Sequence, residues 1–133
     1  MHDVSLLHEL VFRSTDRDGA QLALSDSGAS LDYAQLSVAV RAFAGALRAH
    51  GLQRSDRVGI YLEKRFETVI ASFGSTAAGG VFVPMNPLLK ADQVAFIMGD
   101  CDVRGLVTSP ERLALLAPVL GPCKALRWVI VTG

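Results

Sequence analysis

The sequence predicts an α/β fold: alternating strands and helices forming a mainly parallel sheet with helices on both faces, preceded by an N-terminal helix and a β-hairpin. Two observations predict it. From Arg57 onward, short runs that are apolar nearly end to end (RVGIYL, VFVP, RGLVTS, WVIV) alternate with helix-length segments. That is the pattern of strands covered on both faces. Ahead of them, Leu36, Val40, Phe43 and Leu47 recur at spacings of four, three and four, which places them on one stripe of a helix. Crossovers between the parallel strands are expected to be right-handed.

Each element follows from local signals. Ser5–Thr15 reads as a helix capped by Ser5, with Leu6, Leu7, Leu10 and Val11 on one face. Asp16–Gly19 is a turn. Ala20–Asp26 reads as a strand, Ser27-Gly28 as a hairpin turn and ASLDY as the partner strand. Tyr33–His50 is a long helix, and Gly51 follows it where a left-handed cap is expected. Arg57–Leu62 is a strand, Arg65–Ala78 a helix and Val81–Pro84 a strand. Lys90–Gly99 is a helix with Val94, Ile97 and Met98 facing inward. Arg104–Ser109 is a strand, and Pro110–Leu120 a helix whose proline suits the first turn. Trp128–Val131 is a strand, with Trp128 in the core. No repeat, low-complexity tract or linker divides the chain, so residues 1–133 read as one domain. It reads as incomplete, because the loop after the last strand is where an open α/β sheet binds ligands.

Composition excludes several classes. At 133 residues the chain can bury a core. Half the residues are hydrophobic and 20% charged, which excludes a disordered chain. Thirteen basic and thirteen acidic residues cancel, which argues against a general electrostatic grip on nucleic acid or anionic membrane. Cys101 and Cys123 form no C-x-x-C pair and read as reduced, buried thiols of a cytosolic protein. His2, His8 and His50 have no ligand spacing, so no metal site is expected. The start, MHDVSLLHELVF, lacks the basic residues and long apolar run of a signal peptide. Residues 68–89 are uncharged and long enough to span a bilayer. Gly79-Gly80, Pro84, Asn86 and Pro87 interrupt them, so a helix, a turn and a strand are expected and no transmembrane segment. The expected location is cytoplasmic.

The candidate chemical motifs resolve into architecture. GSTAAGG (Gly74–Gly80) lacks the lysine of a phosphate loop and the G-x-G-x-x-G spacing, and precedes its strand rather than following it. It reads as small residues that allow close helix packing and a turn. His8 has no second histidine at zinc-protease spacing. Asp56-Arg57 reads as a surface pair or turn bond, and Asp100 and Asp102 as solvated charges at a helix end. Glu63-Lys64-Arg65 lies at the carboxyl end of a strand, where a ligand role is open beside a solvent-facing helix turn. No catalytic, cofactor-binding or metal residue can be assigned.

The order of segments resembles a known family. SLDYAQL (Ser30–Leu36) resembles the Leu-Ser/Thr-Tyr-x-x-Leu lead-in to the long first helix of AMP-forming acyl-CoA synthetases. HGLQRSDRVGIYL (His50–Leu62) is similar to their Gly-hydrophobic-x-x-Gly-Asp-Arg-Val strand. AAGGVFVPMNPLL (Ala77–Leu89) resembles the stretch Ala-Gly-Ala-Val-x-Val-Pro-Leu-Asn-Pro, and Lys90–Ser109 the next helix and strand. Ser55 departs from the pattern, since the family usually has glycine before Asp56. The run Lys64–Ala91 looks closest to the ligases found beside exosortase-type polysaccharide systems.

The resemblance covers the chain from about Leu6 and implies the N-terminal part of an AMP-binding, adenylate-forming domain. Such enzymes activate a carboxylic acid with ATP and magnesium, then pass the acyl-adenylate to coenzyme A. The protein contributes positioning and charge neutralisation. The family's phosphate loop ending Pro-Lys-Gly, its adenine and magnesium segment, ribose-binding aspartate, hinge and catalytic lysine have no counterpart in these residues. The resemblance therefore implies an inactive fragment with no bound cofactor. Its partner is the remainder of the same polypeptide or a separately encoded C-terminal portion. Tyr33, Gly51, Asp56, Gly79, Pro84, Asn86 and Pro87 match motif positions as scaffold, with Asn86 bonding backbone before Pro87. A non-catalytic interaction module and a flavodoxin-like nucleotide binder are the alternatives. A sheet ending after one strand is also expected to self-associate through its open edge.

Overall fold

The computed structural model describes residues 22–26, 29–63 and 66–132. The helix expected over Ser5–Thr15, the turn after it and the Ser27-Gly28 turn lie outside them.

Strands β1 (Leu22–Asp26) and β2 (Ala29–Asp32) pair antiparallel as the expected hairpin. Helix α1 (Tyr33–Ala49) starts directly from β2. Asp32 is its N-cap: its carboxylate accepts from Gln35 N at 2.7 Å, and Gln35 Oε1 accepts from Asp32 N at 2.9 Å. This reciprocal box satisfies two amide donors at the helix start. Gly51 closes α1 at φ +93°, the left-handed region expected of a glycine cap.

The remaining elements alternate: β3 (Arg57–Tyr61), α2 (Phe66–Ala77), β4 (Val81–Pro84), α3 (Ala91–Asp100), β5 (Val103–Thr108), α4 (Pro110–Leu120) and β6 (Trp128–Val131). They build a four-stranded, wholly parallel sheet in the order β4-β3-β5-β6. The expected strand Arg104–Ser109 begins one residue earlier, at Val103. Arg57 pairs with Val103 but Val58 with Gly105, so Arg104 is an extra bulge residue that periodicity does not reveal.

Alternate side chains divide the core into two layers. Val58, Ile60 and Leu62 face α1 and α2, packing with Ala44, Leu47, Ala71 and Val107. Tyr61, Met85 and Leu106 face α3 and α4, packing with Val94, Met98 and Leu116. Fully burying a side chain such as Leu47 contributes roughly 1.5–3 kcal/mol. Leu36, Val40 and Leu47 are buried as the helical stripe predicts, with Phe43 half-buried. Ile97 is likewise half-buried, beside fully buried Val94 and Met98.

Glycines set the α1–α2 contact and the turn into β4. A Cβ on Gly74 would come within 2.6 Å of Phe43 Cδ1. Gly79 has φ +91°, and Gly80 N donates to Ser75 O at 2.9 Å. The Gly74–Gly80 segment is thus close packing and a turn, as its composition suggests. Among the described residues no helix is long and apolar enough to cross a membrane.

Two expectations need correction. Trp128 is half-buried, because among the described residues β6 lies at the edge of the sheet and pairs only with β5. Cys101 is half-buried, because it is the C-cap of α3 rather than part of a strand or helix interior. Cys123 is buried, and both thiols are free.

Candidate functional site

In an open α/β sheet, ligands meet the loops beyond the carboxyl ends of the strands. Here those ends carry Tyr61-Leu62-Glu63, Met85-Asn86-Pro87 and Thr108-Ser109. One side chain ties them together. Arg112 lies on the first turn of α4, which Ser109 caps by accepting from Arg112 N at 3.3 Å. The Arg112 guanidinium reaches back to the strand ends. Its Nη1 donates to Pro87 O at 2.6 Å and its Nη2 to Glu63 Oε1 at 3.3 Å. Its Cζ lies 5.0 Å from the centroid of the Tyr61 ring, within cation–π range.

Tyr61 and Thr108 extend the network. The Tyr61 hydroxyl donates to Leu89 O at 2.6 Å, and Thr108 Oγ1 donates to Tyr61 O at 2.7 Å. The Asn86 carboxamide accepts from Leu88 N at 2.9 Å, the backbone bond expected of it before Pro87. A cleft of about 360 Å³ opens beside this loop, lined by Ile60, Leu62, Thr68 and residues 84–87.

The expected charged motifs are placed as follows. Glu63 is exposed and paired with Arg112; Lys64 and Arg65 lie outside the described residues. Asp56 makes the turn bond, accepting from Gln53 N at 2.8 Å, but its ion pair is with Arg104 at 3.5 Å and not with Arg57. Asp100 and Asp102 are exposed, and Asp102 has φ +49°. Burial pushes the Cys123 thiol above its ordinary value. A larger groove of about 630 Å³ runs between α3 and α4 past Phe96, Pro118 and Cys123, away from the strand ends.

Among the described residues the carboxyl edge offers mainly shape and apolar contact, with Glu63 and Asn86 as its exposed polar side chains. Glu63 and Arg112 form an ion pair at 3.3 Å across this edge. Among the described residues no three His, Cys, Asp or Glu side chains are grouped to hold a metal ion. No glycine-rich loop follows a strand among the described residues. Sequence reasoning did not find the Arg112 network; Glu63 and Arg112 alone lie 49 residues apart in the chain, and no local signal joins them.

The profile of the AMP-binding enzyme family matches residues 11–132. The chain belongs to that family, the adenylate-forming enzymes. It is 35% identical over 100 residues to nonribosomal peptide synthetase 7 of Aspergillus fumigatus, covering 74% of this chain and 4% of that protein. The fold matches the crystal structure of the anthranilate CoA ligase AuaEII with anthranoyl-AMP at a TM-score of 0.93 and 24% identity, over 100% of this chain and 26% of the other. The N-terminal domain of FACL13 from Mycobacterium tuberculosis matches at 0.91 and 19%, over 97% and 34%. The chain thus spans a small part of the length of the proteins it resembles.

Proposed function

We propose that residues 1–133 are the N-terminal part of the AMP-binding domain of an acyl-CoA ligase. The whole enzyme would join a carboxylic acid to AMP at the expense of ATP, with magnesium, and transfer the acyl group to coenzyme A. What supports this reading is the family match over residues 11–132 together with the succession Ser30–Leu36, His50–Leu62 and Ala77–Leu89. In this reading the described residues supply scaffold and one face of the substrate cleft, and the cytoplasm is the working compartment. The phosphate loop and catalytic lysine come from the remainder of the polypeptide or from a separately encoded C-terminal portion.

A second reading is amino-acid activation in a peptide synthetase. It is favoured by the 35% identity to a nonribosomal peptide synthetase. Both readings share adenylate formation and differ in the acid.

Carboxylate-dependent exchange of pyrophosphate into ATP tests them. This chain alone is expected to give none. A polypeptide joining it to a Ser/Thr/Gly loop ending Pro-Lys-Gly is expected to respond to fatty or aromatic acids. Response to amino acids alone would favour the second reading, and exchange by the 133 residues by themselves would overturn the division of labour.

A further inference from the structure

Four residues of the groove between α3 and α4 work against the stability of the chain that carries them. Phe96, in the middle of α3, is 73% exposed. Gly99 lies one turn further along the same helix, where glycine is a poor helix former. A Cβ there would meet nothing within 4 Å, so packing within this chain does not require the glycine. Pro118 stands inside α4 and has no N–H to give the Ala114 carbonyl, four residues back. Asp100 closes α3 at the negative end of the helix dipole, in a last turn without a basic residue. Phe96, Gly99, Asp100 and Pro118 all line one groove of about 630 Å³. A sequence whose local choices otherwise agree with its fold departs from them where function asks for it.

The charge of the groove is one-sided. Asp92 and Asp100, both exposed, stand four residues before and four after Phe96, about 12 Å apart along the helix. Among the described residues no lysine or arginine lines the groove. The last turn of α4, whose C-terminus points the same way, has no basic residue either. The rest of the lining is Ala95, Val119, Pro122 and Cys123.

An apolar floor with a carboxylate at each end, two helical turns apart, is complementary to a helix with two basic residues at that spacing and apolar ones between them. The notch at Gly99 lets such a helix come close to the α3 backbone. A second copy of this chain is the poorer match. Pairing α3 with α3 sets carboxylate against carboxylate, and Arg48, in the last turn of α1, already donates to Ala77 O at 2.6 Å.

We propose that the α3–α4 groove docks a basic amphipathic helix of another protein, with an apolar side chain over Phe96 and Gly99 and cations at Asp92 and Asp100. The groove lies away from the strand ends, so docking leaves the carboxyl edge open and does not depend on which acid is activated. The test is amide chemical-shift mapping of the 133-residue chain with an alanine-based peptide of about 15 residues, the length an isolated helix needs. The peptide carries two lysines seven apart with two leucines between them; its counterpart has glutamates in place of the lysines. The lysine peptide is expected to shift the Ala95, Phe96, Gly99 and Val119 amides saturably, and the glutamate peptide to bind at least tenfold more weakly. Gly99→Leu fills the notch and suits a helix. It should keep or raise the melting temperature while weakening the lysine peptide at least tenfold. Asp100→Asn should weaken it at least threefold at low salt and less at high salt. Shifts absent from those four amides, equal affinity for the two peptides, or unchanged affinity in Gly99→Leu would each overturn the proposal. So would dimerisation of the chain that Gly99→Leu abolishes, since the groove would then belong to a second copy.

Discussion

Gly105 of β5 and Trp128 of β6 are register partners, and the indole of Trp128 fills the space that a Cβ on Gly105 would need. The ring also lies 6.2 Å, centroid to centroid, from His50 at the end of α1. A single backbone position without a side chain thus seats the edge strand against the core. Gly105→Ala is expected to displace the ring and cost about 1–3 kcal/mol, the usual range for overpacking. Urea unfolding followed by the fluorescence of Trp128, the chain's one tryptophan, measures it. An unchanged midpoint would mean that β6 shifts at no cost.

Ser55 holds φ +70° because its amide donates to Gly79 O at 2.8 Å, which pins the turn before β3. A left-handed conformation costs a non-glycine residue roughly 1–2 kcal/mol. Ser55→Gly removes that strain but gives the unfolded chain more freedom. The net expectation is a gain of about 0.5–1 kcal/mol, read as a higher melting temperature. A lower one would count against strain at this turn.

Thr108 is fully buried and donates to Tyr61 O at 2.7 Å, joining β5 to β3 at the carboxyl edge. Thr108→Val keeps the shape and removes the donor. A loss of about 1–2 kcal/mol is expected, since a buried carbonyl loses a partner. Denaturant unfolding at constant slope is the check, and a change within error would mean the carbonyl is satisfied by other partners.

The folded Cys123 thiol keeps its proton to higher pH than the unfolded one, whose ordinary value is 9.0, because burial disfavours the thiolate. Its contribution to stability is therefore intact below that value and is lost as pH rises through the folded one. Between pH 8 and 10 the melting temperature of the wild type should fall more steeply than that of Cys123→Ala. Parallel slopes would remove Cys123 from the account. Iodoacetamide is expected to modify half-buried Cys101 before buried Cys123.

Local pattern was enough for the described strands and helices, because apolar runs and the Leu36–Val40–Leu47 stripe are short-range signals. Asp32 reads from the sequence as the end of a strand, yet the D-x-x-Q spacing to Gln35 is a capping signature and could have marked the start of α1. The Arg104 bulge, the edge position of Trp128 and the order of strands depend on pairing between distant segments. The same holds for the carboxyl edge. Glu63 is legible as a charge after a strand and Asn86 as a turn residue. Arg112 looks like any helical surface arginine until the fold brings its guanidinium to Tyr61 and the Pro87 carbonyl.

The strand order also fits a chain made from one end. β3 is the first strand of the parallel sheet to be completed; β4 joins one side of it, β5 the other, and β6 the outside of β5. No strand has to be inserted between two that are already joined. Domains fold as the chain emerges, N-terminal parts first, so a nascent polypeptide can lay down this sheet from its centre outward with every earlier pairing kept.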